Sequence, residues 1–138
     1  MVFAVGDRVE FSGTLPGFTK TIYVGRVVSV GIGVIEVAHE AAFGPDGRPS
    51  IVTVDSRIVR PIPEYFRAPI HTGDIVDVWL SYCWWTGECV GEGEELCRVR
   101  FDFMPPDACR IDYKKMDIRK HQDCVPQDGS CHWRYCDR

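Results

Sequence analysis

Short runs of alternating apolar and polar residues dominate the chain. The segment VGDRVEF (5–11) alternates Val5, Arg8, Val9 and Phe11 around a Gly-Asp turn. TIYVGRVVSVG (21–31) is rich in β-branched residues, and GVIEVAHE (33–40) and SIVTVD (50–55) read as further strands. RIVRPIP (57–63) closes a first unit, and FGPDGRP (43–49) is a turn-rich loop inside it. No stretch combines helical periodicity with good caps. Short strands with Gly/Pro turns predict an all-β chain of small, strongly bent barrels.

The pattern then repeats. GDIVDVWLS (73–81) parallels GDRVEFSG (6–13), and WWTGECVG (84–91) parallels IYVGRVVS (22–29). CRVRFD (97–102) parallels VIEVAHE (34–40), and ACRIDYKKMDIRKH (108–121) parallels IVTVDSRIVRP (51–61). This is an internal duplication with strong divergence. Prolines 61, 63 and 69 crowd the junction and limit swing between the units. We expect a first domain over residues 1–64. A second spans 65–138 and carries a C-terminal extension in which Trp133 and Tyr135 fold back as an extra strand.

Composition narrows the function. The 138 residues are 45% hydrophobic, enough to bury a core. Two domains of this size bury little surface each and are expected to lean on one another. The net charge is -4, and residues 71–138 carry nine basic and thirteen acidic side chains. An acidic surface repels phosphates and favours a Lys- and Arg-rich peptide, so direct nucleic-acid binding is not expected. The start shows no signal peptide and no apolar run approaches a membrane span, so an intracellular protein with no membrane role is expected. In such a compartment the seven cysteines are expected as free thiols.

The most informative segment is GDIVDVWLSYCWWTGECVG (73–91), with Trp79, Tyr82, Trp84 and Trp85. On a strand Trp84 and Trp85 point to opposite sides, so one joins the core and the other faces a groove. Tyr82 stands beside the outward ring, and Phe101 and Phe103 supply another wall. Rings so placed attract a methylated ammonium by cation–π contact. A nearby acid, Asp102 or Asp107, adds attraction and a hydrogen-bond acceptor. The first half offers a sparser set: Phe18, Tyr23, His39 and Phe43, with Asp46 or Glu40. The same rings also suit core and inter-domain packing, which leaves a scaffold reading open.

Here the chain resembles a known family. GDIVDV (73–78), WWTG (84–87), CRVRF (97–101) and MDIRKHQD (116–123) resemble the plant Agenet domain, a Tudor-like member of the Royal superfamily. VGDRVEF (5–11), GF (17–18), YVGRVV (23–28) and IVRPIP (58–63) resemble the companion domain of a tandem pair, with Ile22-Tyr23 where the family usually has Trp-Phe. The resemblance implies two Tudor-like barrels packed as a tandem unit in the nucleus. It implies a reader of a histone H3 tail methylated on lysine, with Tyr23 as a cage residue and Phe18 and Phe43 as weaker ones. The alternative is a methylation-independent scaffold for other nuclear proteins, or a nucleic-acid-binding module.

Chemistry of other kinds finds little support. His121, Cys124, Cys131, His132 and Cys136 cluster late, but their spacing is irregular for structural zinc. No metal or other cofactor is expected. No P-loop, dinucleotide turn or nucleophile motif appears, so the chain is not read as an enzyme.

Overall fold

The computed structural model describes residues 2–13, 21–63, 68–102 and 111–135. They form an all-β chain in two β-rich halves. The first half contains β1 (Arg8–Ser12), β2 (Thr21–Val30), β3 (Val34–Phe43), β4 (Pro49–Asp55) and β5 (Val59–Pro61). The second contains β6 (Ile75–Leu80), β7 (Cys83–Glu92), β8 (Leu96–Arg100), β9 (Asp112–Lys114) and β10 (Ile118–Lys120). A hairpin of β11 (Gln122–Gln127) and β12 (Ser130–Tyr135) follows. No helix among the described residues is long and apolar enough to cross a membrane.

The halves share one antiparallel plan. The first runs β5-β1-β2-β3-β4 and the second β10-β6-β7-β8-β9, so the last strand of each returns to its first. The Gly-Asp turns match in detail. Gly6 and Gly73 take φ of 95° and 99°, a conformation glycine adopts freely. The Gly6 N–H donates to the Val27 carbonyl at 2.8 Å, and Gly73 to that of Cys89 at 2.7 Å. Each aspartate then accepts the N–H three residues upstream, Ala4 to Asp7 and His71 to Asp74.

The cores follow from strand alternation. Val9, Phe11, Val27, Ile35, Val37, Val54 and Val59 fill the first, and Val76, Val78, Cys89, Cys97, Val99, Phe101 and Ile118 fill the second. Gly25 and Gly87 hold equivalent places on β2 and β7. A Cβ at Gly87 would lie 2.7 Å from the Arg100 carbonyl and 2.8 Å from the Phe101 ring, so no larger residue fits.

The halves meet through backbone and charge. At the start of β2 and β7, Thr21 pairs with Trp85 and Ile22 with Trp84, which merges both meanders into one ten-stranded sheet. Beside this pairing, each half buries an acid on its first strand, Glu10 at 1% exposure and Asp77 at 0%. Each acid faces an arginine on its own last strand, Arg60 opposite Glu10 and Arg119 opposite Asp77. Arg119 also crosses the seam. It donates to Asp77 at 2.9 Å and to both Glu10 oxygens at 2.7 and 3.1 Å.

Further donors complete the cluster. Arg60 holds Glu10 at 2.8 and 3.0 Å and reaches the Gln122 carbonyl at the start of the final hairpin. Thr86 donates to Asp77 at 2.7 Å. His121 bridges Asp77 at 2.8 Å and Asp123 at 2.9 Å. Burial alone would raise the Asp77 pKa, but His121, Arg119 and Thr86 outweigh it and hold the carboxylate low. Burial opposes charge on His121, yet the two aspartates prevail and raise its pKa.

One expectation is corrected here. Cys124 and Cys131 are joined as a disulfide, not free thiols. The two-residue turn Asp128-Gly129 has φ of 51° and 77°, the signature of a tight hairpin turn. It folds β12 back onto β11 and brings the two Cα atoms to 5.3 Å. The tail does fold back onto the body, as a hairpin of its own rather than a strand of the main sheet.

Removing Arg119 takes an arginine from each of two buried carboxylates, leaving Glu10 to Arg60 and Asp77 to His121 and Thr86. Arg119→Ala should cost about 3–5 kcal/mol in urea unfolding, whereas exposed Arg48→Ala should leave the midpoint unchanged. A small loss at Arg119 would mean that water replaces the guanidinium. The pH profile should also be informative. The His121 contribution is fully present below its unfolded pKa of about 6.5 and fades as pH rises through the elevated folded value. The Asp77 contribution is present above about pH 3.9 and fades as pH falls further. His121→Gln should flatten the alkaline decline of the unfolding midpoint. An unchanged decline would assign it to another group.

Candidate functional site

Two aromatic groups flank the seam. In the first half, β1, β2 and β3 bring Phe11, Tyr23 and His39 together. Ring centroids lie 4.7 Å apart for Tyr23–His39, 5.4 Å for Phe11–His39 and 5.7 Å for Phe11–Tyr23. Phe11 and His39 are buried, and Tyr23 is half-buried at the surface. The His39 Nδ1 accepts the Ala41 N–H at 3.0 Å, so that nitrogen carries no proton. Burial pushes the His39 pKa down against the pull of Glu40. The ring is therefore neutral near pH 7 and does not repel a cation. Burial, with a contribution from Cys83, raises the Tyr23 phenol, which stays protonated.

Carboxylates near this trio have partners. Glu40 accepts two hydrogen bonds from Arg8 at 2.8 and 2.9 Å, and that pairing lowers its pKa. Asp46 accepts the Arg48 N–H at 3.1 Å and braces its own hairpin turn. Phe43, at the far end of β3, is 63% exposed.

In the second half the two adjacent tryptophans separate, as strand alternation requires. Trp85 packs against the second core, and its indole N–H donates to the Leu80 carbonyl at 2.9 Å. Phe101 is 1% exposed and meets Tyr113 edge-on at 6.0 Å, so its ring serves the core and presents no face to a ligand. Trp84 turns to the seam and meets Trp79 at 5.1 Å. One face of Trp84 is already covered, because the Arg119 guanidinium lies 4.1 Å from its ring centre. Tyr82 stands 72% exposed on the β6–β7 turn. Phe18, Phe103 and Asp107 lie outside the described residues.

The matched registers make the halves comparable. Tyr23 and Trp85 hold equivalent places on β2 and β7, as do His39 on β3 and Phe101 just past the end of β8. The first half thus fills this position with a polar-edged pair, and the second with an apolar one sunk into its core.

On the face of β1 and β2 away from the Phe11–Tyr23–His39 trio, where Glu10 and Val24 point, lies a cavity of about 350 Å³. Val24, Ile62 and Pro63 of the first half face Trp79, Trp84 and Met116 of the second across it. Arg8 and Asp117 add charge at its margin, and Glu10 and Arg119 form its floor. A second hollow of about 310 Å³ lies under Pro69 and Ile70. Its rim is closed by the protein's own pairs, His71–Glu92 at 3.5 Å and Lys115–Glu92 at 3.9 Å. Among the described residues, no group of three or more His, Cys, Asp or Glu is placed to hold a metal ion.

Sequence reasoning brought forward Tyr23 and His39, which the fold does place in contact. It named Trp79 and Trp84 in the aromatic segment without choosing which ring faces the groove, and passed over Arg8, Met116 and the Glu10–Arg119 floor as site residues. A signal for the floor existed in the duplicated V-E-F and V-D-V strands, where an acid recurs between apolar neighbours.

Comparison with known proteins bears on the fold. No protein-family model matches this sequence, and none of the curated proteins does. Solved structures match over nearly the whole chain. The Arabidopsis thaliana AGDP1 AGD34 structure is 24% identical with a TM-score of 0.83, covering 97% of this chain and 90% of that one. The ADCP1 tandem Agenet domain 3-4 structure is 23% identical with a TM-score of 0.73, covering 94% and 86%. The chain therefore has the tandem Agenet, Tudor-like fold.

The turn that carries Tyr82 is strained. Ser81 and Tyr82 take φ of 55° and 63°, where a side chain is costly. Ser81→Asn with Tyr82→Gly fits the two-residue turn better and should raise stability by about 1–2 kcal/mol in thermal melts. No gain would show that the Tyr82 ring makes contacts that offset the strain.

Proposed function

We propose that this chain is a non-catalytic protein-interaction module of the nucleus, and that an extended basic peptide lies along the groove between its halves. The reading takes each five-stranded meander as a small, strongly bent barrel, with domains over residues 1–64 and 65–138. The observation that carries it is the seam cavity, where Trp79 and Trp84 face Val24 and Pro63 above a fixed ionic floor. A rigid aromatic wall of this kind suits anchoring residues of a partner. The net charge of -4 favours a basic one.

The groove reads the peptide without a methyl mark. Its most forward ring, Trp84, already has Arg119 over one face, so the protein supplies its own cation there. This supports the scaffold reading over a methyl-ammonium cage at the groove.

A second reading, recognition of methylated lysine on a histone H3 tail, is favoured by one observation. Tyr23 is half-exposed and packs on a buried, neutral His39 at 4.7 Å, so it offers a cation one ring face with no repelling charge behind it. Tyr82 and Trp85 of the second half, with Phe43 and Asp46 of the first, are the other residues proposed for this role.

Titration calorimetry with matched unmodified and methylated H3 peptides separates the readings. The groove reading expects equal affinity for both, and a loss of at least about 2 kcal/mol, roughly thirtyfold, in a folded Trp79→Ala variant. A preference of about tenfold for a methylated peptide, abolished by Tyr23→Ala, would replace it with the methyl-lysine reading. Full binding by Trp79→Ala would remove the groove from the site.

A further inference from the structure

The second half holds two sulfur atoms that the binding surface does not use. Cys89 lies on β7 and Cys97 on β8, adjacent strands of one hairpin. Cys89 pairs with Val99 and Cys97 with Glu92, and a bulge separates the two registers between Cys89 and Gly91. Cys97 stands two residues before Val99, so both cysteines point to the same face as diagonal neighbours. The bulge increases the local twist between them. Both side chains are buried in the second core.

Their Sγ atoms stand 2.6 Å apart. Non-bonded heavy atoms settle at roughly 3.5–4 Å, and bonded sulfurs at about 2.05 Å. The separation falls between the two, so the hairpin already holds the sulfurs within reach of a bond. Cys83, also buried, turns its thiol to the Leu80 carbonyl at 3.6 Å and takes no part.

We propose that Cys89 and Cys97 form a covalent modification site, an oxidisable pair that closes into a cross-strand disulfide and reopens under thiol reductants. The oxidant is a small-molecule disulfide such as oxidised glutathione. One cysteine sulfur attacks it, forming a mixed disulfide and releasing one glutathione. The other cysteine displaces the second glutathione and completes the link. The two thiol hydrogens leave as protons on the released glutathiones, and the two electrons reduce the oxidant.

Burial governs when this happens. Burial first, then the hydrogen bond with Cys89, pushes the Cys97 thiol up to about 12. Thiolate is the attacking form, so the folded core resists exchange. Closure runs through local opening of β7 and β8 or before the second half has packed. Once closed, the link lies in the cluster against which Trp85 packs, and it stiffens the wall behind that ring. Closure is independent of which ligand the surface binds.

The full chain, equilibrated with oxidised or reduced glutathione, is unfolded in denaturant with excess alkylating agent and cleaved after glutamate, lysine and arginine. Glu88, Glu92, Glu94 and Glu95 lie between the cysteines and Arg98 follows Cys97, so Cys83, Cys89 and Cys97 fall on separate fragments, each with no other cysteine. After oxidation, mass spectrometry should find the Cys89 and Cys97 fragments joined and Cys83 alkylated. After reduction, all three should be alkylated. In Cys89→Ser, the Cys97 fragment should never be found joined to another. Alkyl groups on both Cys89 and Cys97 after oxidation, or either one linked to Cys83 or another cysteine, would overturn the proposal.

Discussion

Arg119 sits where the first strands of both halves converge, its charge shared between Glu10 and Asp77. Each acid has an arginine within its own half, so neither half needs the other to neutralise it. What docking adds is the crossing contact from Arg119 to Glu10, which has no counterpart from Arg60 to Asp77 among the described residues. Two charged clusters brought out of water this way fit together in one register only. A buried ionic cluster is a weak source of stability against apolar packing, and its best-attested use is to specify geometry. Here that geometry places Trp84 under Arg119 and fixes the floor on which the aromatic groove stands.

The two halves have since taken different work. Tyr23 and His39 keep polar edges at the surface of the first half, while Trp85 and Phe101 sink the equivalent position into the second core. The second half turns its spare tryptophan, Trp84, to the seam and gathers the buried thiols. One duplicated plan thus yields a more open ring cluster on one side and a denser, sulfur-rich core on the other.

Much of this was legible in the sequence. The Gly-Asp turns announced the repeat because their backbone conformation and their hydrogen bonds depend on those two residues. The split of Trp84 from Trp85 followed from alternation alone. The same rule, applied to CRVRF, places Cys97, Val99 and Phe101 on one inward face. Reading Phe101 as a binding wall set that rule aside. Glu10 and Asp77 were less visible, because an acid between apolar strand residues normally points to water. Only the second half, packed against the first, buries them. The Cys124–Cys131 link depended on the Asp128-Gly129 turn, a short-range signal that compartment reasoning overrode.

The pairing of Thr21 and Ile22 with Trp85 and Trp84 carries hydrogen-bonded sheet across the seam. Modules joined only by a tether must be aligned each time a ligand spans them, and the loss of that freedom is charged against affinity. In this chain the alignment is made at folding. The peptide proposed to span both halves would meet a fixed distance between two points of attachment, which would make the molecule a ruler, selecting partners by the spacing of their anchoring residues as well as by their chemistry.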